Sequence, residues 1–291
     1  SAWLVVTGYR ALAGSHEVWS ALKTAQGESA GPVLLVVVAA VFAAERRWPA
    51  VSRPPLARAH LVDAAYLALF AALAPLVTLL NIGFAVEVER HAGFVVLGRL
   101  ALAPQLAVVL LILIGMDAMN WAAHVANHRS AALWRFHALH HSQEDLSVFT
   151  TFRTHPLSHA SYLPAVLPAL VLSSSGAAPA AALIAYACFV TLPHANLRWT
   201  LGPLRRVVVS PAYHRLHHAS GMRPVNFGFV LVCWDRLAGC AVSPVAGDPV
   251  ATGITGRPVP VEQADGTGVV RVFAAQLAQP WRRDAALDGR S

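Results

Sequence analysis

Thirty-four consecutive residues, Ala160 to Pro193, carry no charged side chain. Three other stretches are equally bare: Ser29 to Ala44, Ala64 to Val86, and Leu100 to Met116. A spanning helix needs about 20 apolar residues, and a backbone in lipid must satisfy its hydrogen bonds internally, which a helix does. The chain is 56% hydrophobic and 13% charged, against about 25% charged in a soluble domain. These features predict an all-α integral membrane protein with about four to five membrane-embedded helices.

The order of the runs predicts three parts. Residues 1–30 mix apolar and polar positions, with Trp3, Tyr9 and Trp19 among them, and read as an N-terminal interfacial segment. No cleavable signal peptide is expected, because the first apolar run lacks a basic leader and a small-residue cleavage site. Residues 31–245 read as the membrane-embedded domain. Within it, 83–99 reads as a loop, and 160–193 as a hairpin with short arms, interrupted at Ser173 to Gly176 and punctuated by Pro164, Pro168 and Pro179. Residues 246–291 read as a polar tail with a short amphipathic helix near Val269 to Leu277.

A net charge of +7 rests on 21 arginines and Lys23. The arginines flank apolar segments and make no basic stripe, so no nucleic-acid partner is expected. Arg46, Arg47, Arg53 and Arg58 mark a cytoplasmic side under the positive-inside rule. Counting spans from there brings Arg129, Arg135, Arg198, Arg205 and Arg206 to the same face. The three cysteines, Cys188, Cys233 and Cys240, form no CxxC pair and suggest neither a disulfide framework nor a thiolate site.

Histidine dominates what is left. Eleven of fourteen lie between 124 and 218, where the only carboxylates are Glu144 and Asp145. They are written as HxxxH (His124, His128) and twice as HxxHH (His137, His140, His141; His214, His217, His218). Residues three and four apart share a helix face, so Asp117, Trp121, His124 and His128 form one stripe. The adjacent histidines of each HxxHH diverge by about 100 degrees, so one box can serve two neighbouring ions. Eight imidazoles exceed what one ion takes.

Imidazole suits zinc, copper, iron and nickel. A closed structural zinc site needs four ligands, no HExxH is present, and the Glu-x-x-His di-iron motif is absent. An all-nitrogen di-iron centre for O2 chemistry remains.

In this order the three boxes resemble the fatty acid hydroxylase/sterol desaturase superfamily of membrane di-iron oxygenases. Asp117 with Asn120-Trp121 resembles its lead-in, Arg153-Thr-His155-Pro156 its R-x-H-P element, and His194-Ala-Asn196 its H-x-N element. Asn226-Phe-Gly228 and Trp234-Asp235-Arg236 resemble its closing signatures. The resemblance implies two iron ions held by His124, His128, His137, His140, His141, His194, His214, His217 and His218. It also brings in His155, whose place before Pro156 equally suits a helix cap; His159 stays open. It implies O2-dependent hydroxylation or desaturation of a membrane lipid, with a lipid substrate, O2 and an external electron donor as partners. No GxGxxG or CxxCH appears to carry electrons within the chain. The histidine cluster is expected as a cytoplasmic cap.

Two other classes compete. A histidine-rich membrane metal transporter or sensor would put its ligands within the spans, whereas the boxes follow them. A b-type haem protein would use two opposed histidines and leave the doubled HxxHH idle.

Overall fold

The computed structural model describes residues 2–13, 31–52, 59–92, 104–172, 177–245, 250–256, 259–260 and 268–282. In chain order the helices are α1 (Ala2–Ala13), α2 (Gly31–Arg47), α3 (Ala59–Ala92), α4 (Gln105–Arg129), α5 (Ala131–His141) and α6 (His159–Tyr162). They continue with α7 (Leu167–Leu172), α8 (Ala177–Phe189), α9 (Pro211–His217), α10 (Cys233–Leu237) and α11 (Val269–Ala278). Short 3-10 turns join several of them. Among the described residues no strand forms, only isolated bridges such as Val208 with Leu231 and Ala219 with Thr252.

Among the described residues two helices are long and apolar enough to cross a membrane: His60–Val88, within α3, and Gln105–Arg129. The two arms of the expected 160–193 hairpin form shorter helices than the uncharged run suggests. Pro164 and Pro168 break the first hairpin arm into a 3-10 turn between the short α6 and α7, because proline lacks an N–H and clashes with the preceding turn. The second arm is α8, with 13 residues, about 20 Å at 1.5 Å per residue. The break at Ser173 to Gly176 lies outside the described residues. Residues 83–92, expected as the start of a loop, extend α3 instead. There Arg90 and His91 reach back to Glu87 at 3.1 and 3.3 Å, pairs that only helical spacing aligns.

The chain divides into two compact units. One comprises Ser1–Val37, Ala72–Asn120 and Tyr162–Cys188. Its core is a stripe on α4, Val108, Ile112 and Met116, packed with Ala182. Small residues let backbones approach here. A Cβ on Gly83 would collide with the Leu4 carbonyl, and one on Gly115 would lie 2.7 Å from Pro168 Cβ.

The other comprises Val38–Ala71, Trp121–Ser161 and Phe189–Ser291. Its apolar core joins Val62 and Tyr66 of α3, Trp134, Ala138 and Leu139 of α5, and Val259, with Val269, Val272, Phe273 and Leu277 of α11 against it. The helix found at Val269–Ala278 thus packs an apolar face on the histidine-bearing α5. Residues beyond 245 share this core.

Leu in place of Gly83 must push α1 and α3 apart. Thermal unfolding of Gly83→Leu is expected to show a loss of about 1–3 kcal/mol, the usual cost of overpacking; an unchanged transition would contradict the close approach.

Candidate metal centre

All eleven histidines between 124 and 218 lie in the second unit. α4 carries His124 and His128, and α5 begins two residues later. Ser130, between them, caps α5 by accepting from Leu133 N at 3.4 Å, which turns the chain and fixes the phase of the second box. Ser210 caps α9 in the same way, accepting from Tyr213 N at 3.1 Å, with Pro211 at the first helical position. That arrangement suits proline, whose missing N–H is an orphan there.

The imidazoles gather into two groups. One is His124, His128, His137, His141 and His217; the other is His140, His194, His214 and His218. In each group one ligand atom per residue lies within 4.8 Å of the others. Each HxxHH is divided between the groups: His140 and His141 part, and so do His217 and His218. The angular divergence of adjacent helical residues produces this division. Nine of the ten residues singled out from sequence come together.

The tenth, His155, joins neither group. Its Nδ1 accepts from Leu157 N at 3.2 Å, capping the Pro156–Ser158 turn, and its Nε2 lies 3.1 Å from the Leu277 carbonyl. Both ring nitrogens are engaged, and the ring packs against Phe136 and Trp281. His155 ties α11 to the site. His159 packs on Phe70 and belongs to neither group.

Backbone carbonyls set the tautomers. A carbonyl only accepts, so a ring nitrogen facing one carries the proton and the other nitrogen presents a lone pair. His124 Nδ1 donates to Phe227 O at 2.8 Å, His217 Nδ1 to Val225 O at 2.7 Å, and His140 Nδ1 to Arg153 O at 3.3 Å. Nε2 of His124, His128 and His137 are buried without a hydrogen-bond partner. His194 Nε2 lies 2.9 Å from His140 Nε2 and 3.0 Å from His214 Nε2. One N–H cannot serve both neighbours. Buried lone pairs aimed at a common centre are the donor set a borderline metal ion takes, so the residues fit the implied metal.

Burial also keeps them neutral. It lowers His140 to about 4. Burial first, then the neighbouring imidazoles, hold His137, His141, His194, His214, His217 and His218 well below the ordinary histidine value. A protonated imidazole cannot ligate, so the packing that excludes water also prepares the ligands.

Three buried carboxylates hold the surroundings. Asp235 accepts from Trp121 Nε1 (2.8 Å), Tyr213 OH (3.0 Å), Phe227 N (2.9 Å) and Gly228 N (2.9 Å). It therefore ties α4 and α9 to the loop whose carbonyl orients His124. Asn226, at φ 56, pins the same loop through Tyr213 O and Val242. Asp63 pairs with Arg153 at 3.0 Å, both fully buried, and accepts from Gln143 Nε2 at 2.9 Å. The carbonyl of that arginine faces His140. Glu45 accepts from the backbone N–H of Val148 and Asn196, at 2.7 and 2.8 Å, and Asn196 clamps Val51 through both side-chain atoms.

Sequence reasoning treated Glu45 and Asp63 as borders of apolar runs. The signal was available: a carboxylate is almost never fully buried unless paired, and so few are present that each deserved a partner.

Comparison with known proteins agrees with the boxes. A family model described as fatty acid hydroxylase matches residues 109–240. An ornithine lipid hydroxylase from Rhizobium tropici is 34% identical over 169 residues, which is 56% of this chain and 47% of that protein. Alkylglycerol monooxygenases from Caenorhabditis elegans and Danio rerio are 29% and 30% identical over 129 and 134 residues, 42% and 43% of this chain. These matches span 24% and 28% of the two monooxygenases, so the chain covers about half or less of each relative. No solved structure matches it.

Asp63→Ala leaves Arg153 buried without its partner, and denaturant unfolding is expected to show a loss of about 3–5 kcal/mol. Adding Arg153→Leu is expected to restore much of it; no recovery would mean that the aspartate acts otherwise. A histidine whose folded pKa is depressed takes up a proton on unfolding, so its stability contribution is complete above the ordinary value and falls below it. The metal-free chain is expected to lose stability as pH drops from 6.5 toward about 4. Unfolding midpoints that do not change across this window would contradict the burial of neutral imidazoles.

Proposed function

We propose that this chain, which carries the fatty acid hydroxylase family match over residues 109–240, is a membrane oxygenase that hydroxylates a lipid with O2. The observation that supports this reading best is the division of each HxxHH between two facing groups of buried, neutral imidazoles. One group of five and one of four suit two ions, and iron is the metal that the family implies. Bound iron would supply the activation of O2 that no side chain here provides.

The chain's own residues do the rest. The nine histidines hold the ions, and the carbonyls of Phe227, Val225 and Arg153 fix the tautomers of His124, His217 and His140. Trp134 and Phe227 pack their rings on His128 and cover part of the first group. His155 serves as a positioning residue that fastens α11, in place of the ligand role implied by resemblance.

Hydroxylation is favoured over desaturation because the relatives above are named hydroxylases and monooxygenases. They act on an ornithine lipid and on alkylglycerols, so the substrate of this chain is read as a membrane lipid. Electrons come from a separate donor. Apolar helices deliver the substrate from the bilayer, and the arginine distribution supports a cytoplasmic face for the histidines. The metal-binding domain extends past residue 245 to include α11. A transporter is disfavoured because the ligands are buried and held by fixed carbonyls, whereas transport needs them to let go.

Two measurements test the reading. The purified chain is expected to hold about two irons, and His140→Ala and His217→Ala, one from each group, to lower that content. Unchanged iron in both variants would refute the metal centre. Lipid mass spectrometry of cells with and without the gene is expected to reveal a species gaining the mass of one oxygen atom. A species losing two hydrogens instead would make the enzyme a desaturase.

A further inference from the structure

Beside the five-histidine group lies a small cavity of about 30 Å³, open to the outside. His128, His141 and His217 form its floor, and its rim includes Gly221, Met222 and Thr255. Two segments make that rim. One is the turn after the last box, and the other comes from the tail, beyond the stretch matched by the family model.

The two segments are fastened to each other. Ser220 N donates to Ala251 O at 2.9 Å, Gly253 N to His218 O at 3.3 Å, and the hydroxyls of Ser220 and Thr255 lie 3.2 Å apart. Thr252 Oγ1 donates to Glu144 O at 2.6 Å, which anchors the tail segment to the loop after α5. The opening is therefore held in shape by hydrogen bonds.

Glycine shapes both segments, and a Cβ on Gly253 would meet Glu144 Cγ at 2.9 Å. Gly221 sits at φ +73 and Gly253 at φ +115, backbone conformations that side chains strain. The space where a Gly221 side chain would project is open, with Thr255 Oγ1 3.8 Å away. Met222, 38% exposed, is the large flexible side chain of the rim.

The cavity is small. A water needs roughly 10–15 Å³ of such volume, so the cavity accommodates about two waters. A diatomic or triatomic molecule fits, and a lipid chain does not. We propose that this aperture is the route by which small water-soluble molecules, O2 among them, reach the five-histidine group, so that the lipid arrives by another route. The proposal rests on the metal reading above and goes beyond it, because it assigns a function to the Ala219–Pro224 turn and to the tail residues 251–255.

Azide is a suitable probe, being a triatomic anion that binds ferric iron with a new absorption band. Its binding rate would be followed by stopped flow on the full-length, iron-loaded chain. Met222→Trp and Thr255→Trp narrow the rim, Met222→Ala widens it, and Leu204→Trp, on a separate exposed turn, is the control. Both narrowing variants are expected to slow azide binding on the order of tenfold, as a modest added barrier does. The widened variant is expected to speed it, with the control unchanged and iron content equal throughout. Equal azide rates in every variant that retains iron would overturn the proposal. A wild-type chain that binds no iron would instead overturn the metal reading, so the two failures are distinguishable.

Discussion

A neutral imidazole has one donor and one acceptor, and nine of them in a dry interior impose a strict constraint. Each ring must direct its proton somewhere before its other nitrogen can be offered to a shared centre. Backbone carbonyls take that proton at His124, His217 and His140. The loops bearing those carbonyls must then hold still, and much of the second unit serves that end. Asp235 and Asp63 belong to neither histidine group; each holds a segment whose carbonyl faces an imidazole. Asp235 holds four donors and thereby sets His124. Asp63, through Arg153, stands behind His140. A buried ion pair is weak evidence of stability, and its use here is better understood as orientation.

Legibility in the sequence varied with the range of the interaction. The two-group arrangement was readable because it is local: HxxHH on a helix must send its adjacent histidines apart, whatever surrounds it. α11 was readable for the same reason, from periodicity over ten residues. The breaks within a long uncharged run were not, because such a run counts residues and ignores proline. The run from Ala160 to Pro193 looks continuous in charge, yet Pro164 and Pro168 divide its first arm into single turns. The loop expected at 83–99 differs over 83–92, the part that lies within the described residues. Charged residues read as solvent-exposed ends, but Glu87, Arg90 and His91 satisfy one another along a continuing helix.

Long-range partners were the hardest to see. Asp63 and Arg153 are ninety positions apart, and no spacing rule links them. Asn196 reads as part of an H-x-N element. It proves to be a clamp on the backbone of Val51, 145 positions away. His155 shows how type and position mislead together. As a histidine amid histidines it invites a ligand role, while its partners are Leu157 N and Leu277 O. The proline after it was the better guide, since capping is a local matter and ligation is not.

The tail changes meaning once its contacts are known. Polar and rich in glycine, residues 246–291 look dispensable beside the histidine boxes. Yet Val259, Ile254 and the apolar face of α11 complete the core around Trp134, Ala138 and Leu139. Trp134 in turn lies against His128 and His141. The rings of the five-histidine group are thus backed by a layer drawn from both sides of the family-matched stretch, Val62 and Tyr66 before it and the tail after it. Nine charge-neutral imidazoles cannot supply their own enclosure, because water would compete for every exposed nitrogen. The matched residues 109–240 carry the nine histidines; the burial that keeps their rings unprotonated comes in large part from residues outside them.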